Sequence, residues 1–446
     1  MTSPVASLAH AIDRRVGRSA PRPSLWAIDV WRLLGHLAVA MFVILAVTGL
    51  LLAIWYDPST EPVTYQGSSE LYDGHTLPAN FASVVHISED VPGGLLLRRV
   101  HVAASHLFVA ATVLHLLRIL FTGAYRRPRL ANHLVGVGLL LLVLGMLYTG
   151  ENLPFDLVSG ASLRIGYAAL MSIPLVGDTL APLAFGGEFP GGDVVTRSWF
   201  LHVFVLPPLF VGGLALHLWL VHRRTPAEWP REDVDVHRCA VGRPLWPDAS
   251  ARFAMLGAGA TALVLASAAL IPWADLELEG PFRPAEAANT LHPPWSLFFL
   301  SGGLRIVPAI DLVIGPVRIT NMLVAGVIIP GILIAALVVY PLIERAVLGD
   351  DIVHHELAGP LDLPLRAGVT AAITAVTLVL TGAAGVDVIA YWLRSPVEGV
   401  IWAFRIALVV VPVAATLLAV RAARRHAERA AGTAGSAGHD DAEATT

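Results

Sequence analysis

Residues 98–121 read RRVHVAASHLFVAATVLHLLRILF and residues 199–222 read WFLHVFVLPPLFVGGLALHLWLVH. Each is an apolar stretch of the length that crosses a bilayer as one helix, about 20 residues, and each carries three histidines, two of them about four helical turns apart. His101 and His115 are 14 residues apart, His202 and His217 are 15 apart. At about 100° per residue, 14 steps return to within about 40° of the starting face and 15 to within about 60°. The rise of about 1.5 Å per residue separates the members of each pair by about 21 to 23 Å. Each pair therefore faces one way, with one imidazole near each side of the hydrocarbon core.

Working outward, eight apolar stretches are long enough to span, at 33–56, 100–121, 133–150, 199–221, 253–273, 319–343, 367–386 and 399–420. The 446-residue chain is 55% hydrophobic and only 14% charged, with a mean hydropathy of +0.67. A soluble domain carries about a quarter charged residues, so an ordinary water-soluble enzyme is excluded, as are disorder, collagen and coiled coil. One cysteine, Cys239, excludes a disulfide framework, a Cys-ligated zinc and a Cys-bound iron–sulfur cluster. A net charge of −4 gives no reason to expect nucleic acid. Every basic residue is arginine, for which we have no physical account. The expected fold is an all-α membrane protein of about eight transmembrane helices, an N-terminal four-helix haem-binding bundle followed by C-terminal helices.

Arginines set the orientation. Those of the N-terminal side, from Arg14 through Arg118, Arg126, Arg127, Arg129, Arg223 and Arg224 to Arg421 and Arg425, far outnumber those opposite, such as Arg98, Arg164 and Arg318. The positive-inside bias puts both termini in the cytoplasm of a bacterial cell membrane, and nothing before Arg14 reads as a cleavable signal. The organisation reads as a cytoplasmic segment 1–32, a dihaem bundle 33–225, a cytoplasmic connector 226–252, C-terminal helices 253–425 and a disordered tail 426–446. Segment 159–185 has helical spacing interrupted by Pro174 and Pro182, fitting a surface-lying piece, and 275–318 is long for a simple connector.

The second and fourth spans run parallel, so His101 lies level with His202 and His115 with His217. Two levels of facing imidazoles suit bis-histidine ligation of two stacked haems, which leaves no open iron position and carries electrons. The plain alternative, a lone membrane histidine bonding a neighbouring helix, does not explain two matched pairs; ionisable groups in a membrane are costly and mostly functional. His106 and His36 break the spacing and read as structural. Arg98, three residues before His101, and Arg118, three after His115, sit one turn outward, where a guanidinium suits a haem propionate; snorkelling end residues are the alternative. Gly35 and Gly49, and Gly136 and Gly150, are also 14 apart, and a residue without a side chain lets a flat macrocycle approach the backbone.

These residues resemble cytochrome b of the quinol–cytochrome c reductase (bc) complexes, most closely the actinobacterial form. The resemblance runs from about residue 26 to 425. It is carried by GGLLLRRVH and LHLLRILFTGAYRRPR within 93–129, TGENLPFDLVSGASLRI, IPLVG, FGGEFPGGD, TRSWFLHVFVLPPLF, LRIVP, VIIPG, YPLIER and VIWAFR. It implies an outer haem b on His101 and His202, an inner haem b on His115 and His217, and menaquinol oxidised near the outer face between segments 159–185 and 275–318. One electron would pass to a Rieske iron–sulfur protein and on to a dihaem cytochrome c, the other across the haems to quinone; a terminal oxidase and a homodimeric assembly are further implied partners, beside membrane lipids.

The departures are informative. Where the family reads Pro–acid–Trp–Tyr, this chain has Pro293, Pro294, Trp295 and Ser296, and Ser301 stands where close relatives tend to carry an acid. Proline has no ionisable group and cannot serve as a general base. Glu151, Asp156 or His292 is left to supply one, each equally readable as a solvated loop residue. His222 resembles the family's inner quinone-contacting histidine, beside Arg223 and Arg224. Two other functions stay open: a divergent cytochrome b paralogue with an altered or impaired quinol site, and a haem-free proton-coupled transporter, which the gap of about 20 Å between histidines disfavours.

Overall fold

The computed structural model describes residues 25–26, 32–189, 191–224, 227–230, 243–273, 275–285, 295–350 and 352–443. His292, Pro293 and Pro294, Cys239 and residues 1–24 lie outside them, as does the side chain of Ser296. Among the described residues eight helices are long and apolar enough to cross a membrane. They are α1 (Leu33–Leu52), α2 (Gly94–Phe121), α3 (Leu130–Glu151), α4 (Val194–Arg224), α5 (Ser250–Leu270), α6 (Asn321–Leu348), α7 (Pro364–Ala383) and α8 (Val397–Glu443). These are the eight stretches read from hydropathy. Shorter helices, Leu157–Met171 and Gly177–Phe185, fill the segment between α3 and α4. Strands form only small antiparallel pairs such as Asp311–Ile314 with Val317–Thr320.

Two long-range pairings organise the N-terminal bundle: α1 packs along α2, and α3 along α4. Their shared core contains Met41, Phe108, Val143 and Phe210, and α5 closes it with Ala260 and Val264. Phe108 and Phe210 lie between the two histidines of their helices in sequence and meet at 5.5 Å between ring centroids; Phe42 meets Phe210 at 4.5 Å. An apolar aromatic layer therefore separates the two histidine levels. In the C-terminal half α7 packs on α8 and on the helix Phe298–Ile306 around Ile306, Leu380 and Val400. The halves meet where α6 lies on α3 and α7 on α2, with Leu120, Tyr125, Leu337 and Tyr340 buried between them.

Two local features depart from the sequence reading. The backbone of α8 is helical to Glu443, through residues expected to be a disordered tail from 426. Alanines at 422, 423, 427, 430 and 431 favour the first part of this extension, since alanine has the highest helix propensity. In α4 the residues Leu201–Val205 form a π-turn, with Leu206 N–H bonded to the Leu201 carbonyl. Pro207 and Pro208 follow it and have no N–H to offer the preceding turn, so the ladder there is already broken. A π-turn inserts one extra residue, which absorbs the fifteenth step between His202 and His217 and restores the register of the 14-residue spacing on α2.

Candidate functional site

The four histidines meet as the spacing requires. The rings of His101 and His202 stand 6.3 Å apart between centroids, and those of His115 and His217 stand 6.5 Å apart. Two metal–imidazole bonds of about 2 Å each, together with the inner half of each ring, account for such a separation. The donor set, two imidazoles with no third His, Cys, Asp or Glu grouped with them among the described residues, suits iron in a macrocycle, so the residues present fit a haem at each depth.

Each glycine of the two 14-residue pairs abuts one of these imidazoles. A Cβ on Gly49 would lie 3.1 Å from His101 Cε1, on Gly35 3.2 Å from His115 Cε1, on Gly150 2.6 Å from His202 Cε1 and on Gly136 3.6 Å from His217 Cε1. Each of these glycines lets a histidine ring approach its backbone closely. The helices α1 and α3 are thereby the back walls that press the imidazoles of α2 and α4 toward each other.

Beyond the His101/His202 level lies an acidic rim. Arg98 is buried and donates from Nε to Ser88 Oγ at 3.0 Å, with Asp156, Glu279 and Asp275 close enough to interact electrostatically. Asp156 caps the helix Leu157–Met171, its Oδ1 accepting from Ser159 N and Oγ, both at 2.8 Å. The segment 276–282 is drawn onto this cap: Leu157 N–H donates to Gly280 O at 3.2 Å and Phe282 N–H to Phe155 O at 2.9 Å. That brings Glu279 against Asp156. Burial, then the neighbouring Asp156 charge, pushes the Glu279 carboxyl up to about 8, with Arg98 opposing. Glu151, at the end of α3, lies within reach of both carboxylates. Trp295 is 6.0 Å from His106 between ring centroids, and Trp273 packs on the same imidazole at 4.7 Å. Sequence reading named Glu151, Asp156 and Trp295 but missed Glu279; only its place just after the fifth span hinted at it.

Around the His115/His217 level is a cavity lined by Arg32, His36, Arg118, Arg129, His133 and His222, among others. Arg118 and His222 thus share one cavity with His115 and His217. His36 stacks on Phe253 at 4.0 Å, and Arg32 pairs with Glu228 at 3.0 Å. Arg129 donates to the carbonyls of Ala124 at 3.0 Å and His354 at 2.8 Å. Burial lowers its guanidinium to about 9, with Arg126, Arg32 and Arg118 adding like-charge repulsion. The rest of the lining is mostly apolar, and the charged side chains that reach it are arginines.

Comparisons with known proteins agree with this arrangement. A family profile described as "Cytochrome b(N-terminal)/b6/petB" matches residues 106–281. The cytochrome bc1 complex cytochrome b subunit of Streptomyces coelicolor is 36% identical over 426 residues, covering 94% of this chain and 75% of the relative. That of Mycobacterium tuberculosis is 33% identical, covering 92% and 75%. A solved structure titled "Hyperthermophilic respiratory Complex III" shares the fold at 16% identity, with a TM-score of 0.63 over 93% of this chain and 96% of that one. With eight membrane helices and relatives of this similarity, the chain belongs to the cytochrome b subunits of the respiratory cytochrome bc1, or quinol–cytochrome c oxidoreductase, complexes.

Proposed function

We propose that the chain is the dihaem subunit of a menaquinol–cytochrome c reductase, with one b haem held by His101 and His202 and a second by His115 and His217. The observation that carries this reading is the repetition of one imidazole–imidazole separation, 6.3 and 6.5 Å, at two depths. When bound, the haems supply two one-electron carriers stacked across the membrane. The apolar layer of Met41, Phe108 and Phe210 between the levels disfavours a proton-relay transporter, which needs a continuous chain of polar partners.

The arginine distribution supports placing the His101/His202 level toward the outer face, with both termini in the cytoplasm. Oxidising a quinol there releases protons that some group must accept, and Pro294 has none to offer. The carboxylates of Glu151, Asp156 and Glu279 take that role, with Trp295 and His106 forming the aromatic wall. Glu279 is a candidate base because burial, and then the neighbouring Asp156 charge, push its carboxyl up to about 8. At the opposite end Arg118 holds a propionate and His222 contacts quinone, in a lining whose positive charge favours anionic groups. The electron acceptors are a Rieske iron–sulfur protein and a dihaem cytochrome c, in a homodimer that also joins a terminal oxidase.

Pyridine haemochrome assay of the purified chain is expected to give two b haems; a value near zero overturns the reading. Ser296 and Pro294 support a second reading, a paralogue whose outer quinone site is impaired. Quinol:cytochrome c reductase activity of the assembled complex that is lost in Trp295→Ala favours the first reading; intact haems with no activity in the unaltered complex favour the second.

A further inference from the structure

The four ligand imidazoles differ at the nitrogen that does not face the metal. Thr48 Oγ1 lies 2.8 Å from His101 Nδ1 and donates its proton to the Ile44 carbonyl at 2.7 Å, with Leu45 O at 3.3 Å. A hydroxyl has one proton; with it committed to the helix backbone, only a lone pair faces the ring. His101 must then carry its hydrogen on Nδ1, which leaves Nε2 as the lone-pair nitrogen. Thr149 repeats the arrangement. It donates to Gly145 O at 2.8 Å and lies 3.3 Å from His202 Nδ1, which also donates to the Met146 carbonyl at 2.9 Å.

The other level has no counterpart. His115 Nδ1 is buried without a hydrogen bond among the described residues; His217 Nδ1 has the Asn132 backbone nearby but no hydrogen bond of ordinary geometry. The reason is legible one residue before each glycine that abuts a ligand ring. At the His101/His202 level those residues are Thr48 and Thr149, before Gly49 and Gly150; at the other they are Leu34 and Val135, before Gly35 and Gly136.

We infer that Thr48 is a positioning residue that fixes the tautomer of His101, that Thr149 supports the Met146 carbonyl in doing so for His202, and that both raise the basicity of these rings as iron ligands, at this level only. The inference rests on the haem ligation proposed above. A ring N–H given to an acceptor makes the imidazole a stronger donor and favours the oxidised metal, so losing the acceptor raises the reduction potential.

The test is a redox titration of the assembled complex, followed by visible absorption and by the low-temperature electron paramagnetic resonance of each haem. Thr48→Val is expected to raise the midpoint of the His101/His202 haem and shift its resonance, with the other haem unmoved. Thr149→Val is expected to act in the same direction but less, because the Met146 carbonyl still accepts, and Thr48→Ser is expected to restore the unaltered values. Equal shifts of both haems, or no shift in either valine variant at full haem content, overturn the assignment. Haem content separates the claims: no haem in the unaltered chain overturns the ligation, whereas two haems with unmoved midpoints overturn only the role of the threonines.

Discussion

The two ends of the four-helix bundle repeat one motif in opposite surroundings. Both set a histidine of α2 against one of α4 at nearly the same separation, and both back each ring with a glycine. Yet the His101/His202 end is rimmed by Glu151, Asp156, Glu279 and Asp275 around a buried Arg98, while the His115/His217 end opens on arginines and histidines. In the proposed dihaem reading, repetition of the histidine spacing would make a continuous electron path, and the difference in charge would give each end a different proton chemistry. Carboxylates suit a site that must accept protons from a quinol, and cations suit one that holds propionates and a quinone being reduced.

The strongest way to break this comparison is to remove one ligand. His202→Leu is expected to reduce the pyridine haemochrome value from two haems per chain to one; loss of both, or of neither, would contradict two independent levels. Next come the glycines of α3, which differ by distance where those of α1, at 3.1 and 3.2 Å, do not. Gly150→Ala puts a Cβ 2.6 Å from His202 Cε1, closer than any real contact, and overpacking of this kind costs about 1–3 kcal/mol. Gly136→Ala places it at an ordinary 3.6 Å. The first variant should lose haem from its level and the second should bind both, as read from the Soret absorbance per chain.

The acidic rim is tested by pH. Glu279 must be ionised to accept a proton, so quinol oxidation should rise with pH through about 8. Glu279→Gln should flatten that limb and slow turnover by roughly 10²-fold, the low end of general-base contributions. The sign for stability is the reverse. The folded protein holds this proton more tightly than the unfolded chain, so the contribution of Glu279 is full below its ordinary value of 4.5 and is lost as pH climbs toward about 8. A melting temperature whose fall over that window persists unchanged in Glu279→Gln would count against the assignment. The smallest effect belongs to the opposite end. Replacing Arg118 with Gln leaves the other cations of the cavity in place, and a modest fall in haem retention at the His115/His217 level, seen as faster loss of its absorbance during purification, is the expected outcome.

Much of this was readable along the chain. The eight spans follow from runs of apolar residues, because a bilayer selects on length and hydropathy, both local quantities. The ligand histidines follow from helical periodicity, which converts a spacing of 14 into a shared face. Where α8 ends was not legible: the small, polar composition after residue 426 reads as a tail, whereas the backbone of α8 is helical to Glu443.

The sequence by itself thus determined the membrane class, the shared face of each histidine pair and the 14-residue spacing of the glycines, since each is a property of neighbours on one helix. Tertiary structure alone decided what those glycines touch, how the π-turn at Leu201–Val205 reconciles 15 residues with 14, and that Thr48 reaches His101 from another helix. It also decided that Glu279, 123 residues from Asp156 in the chain, shares its environment. Such contacts depend on which faces of separate helices and loops pack together, and no spacing within a single segment encodes that.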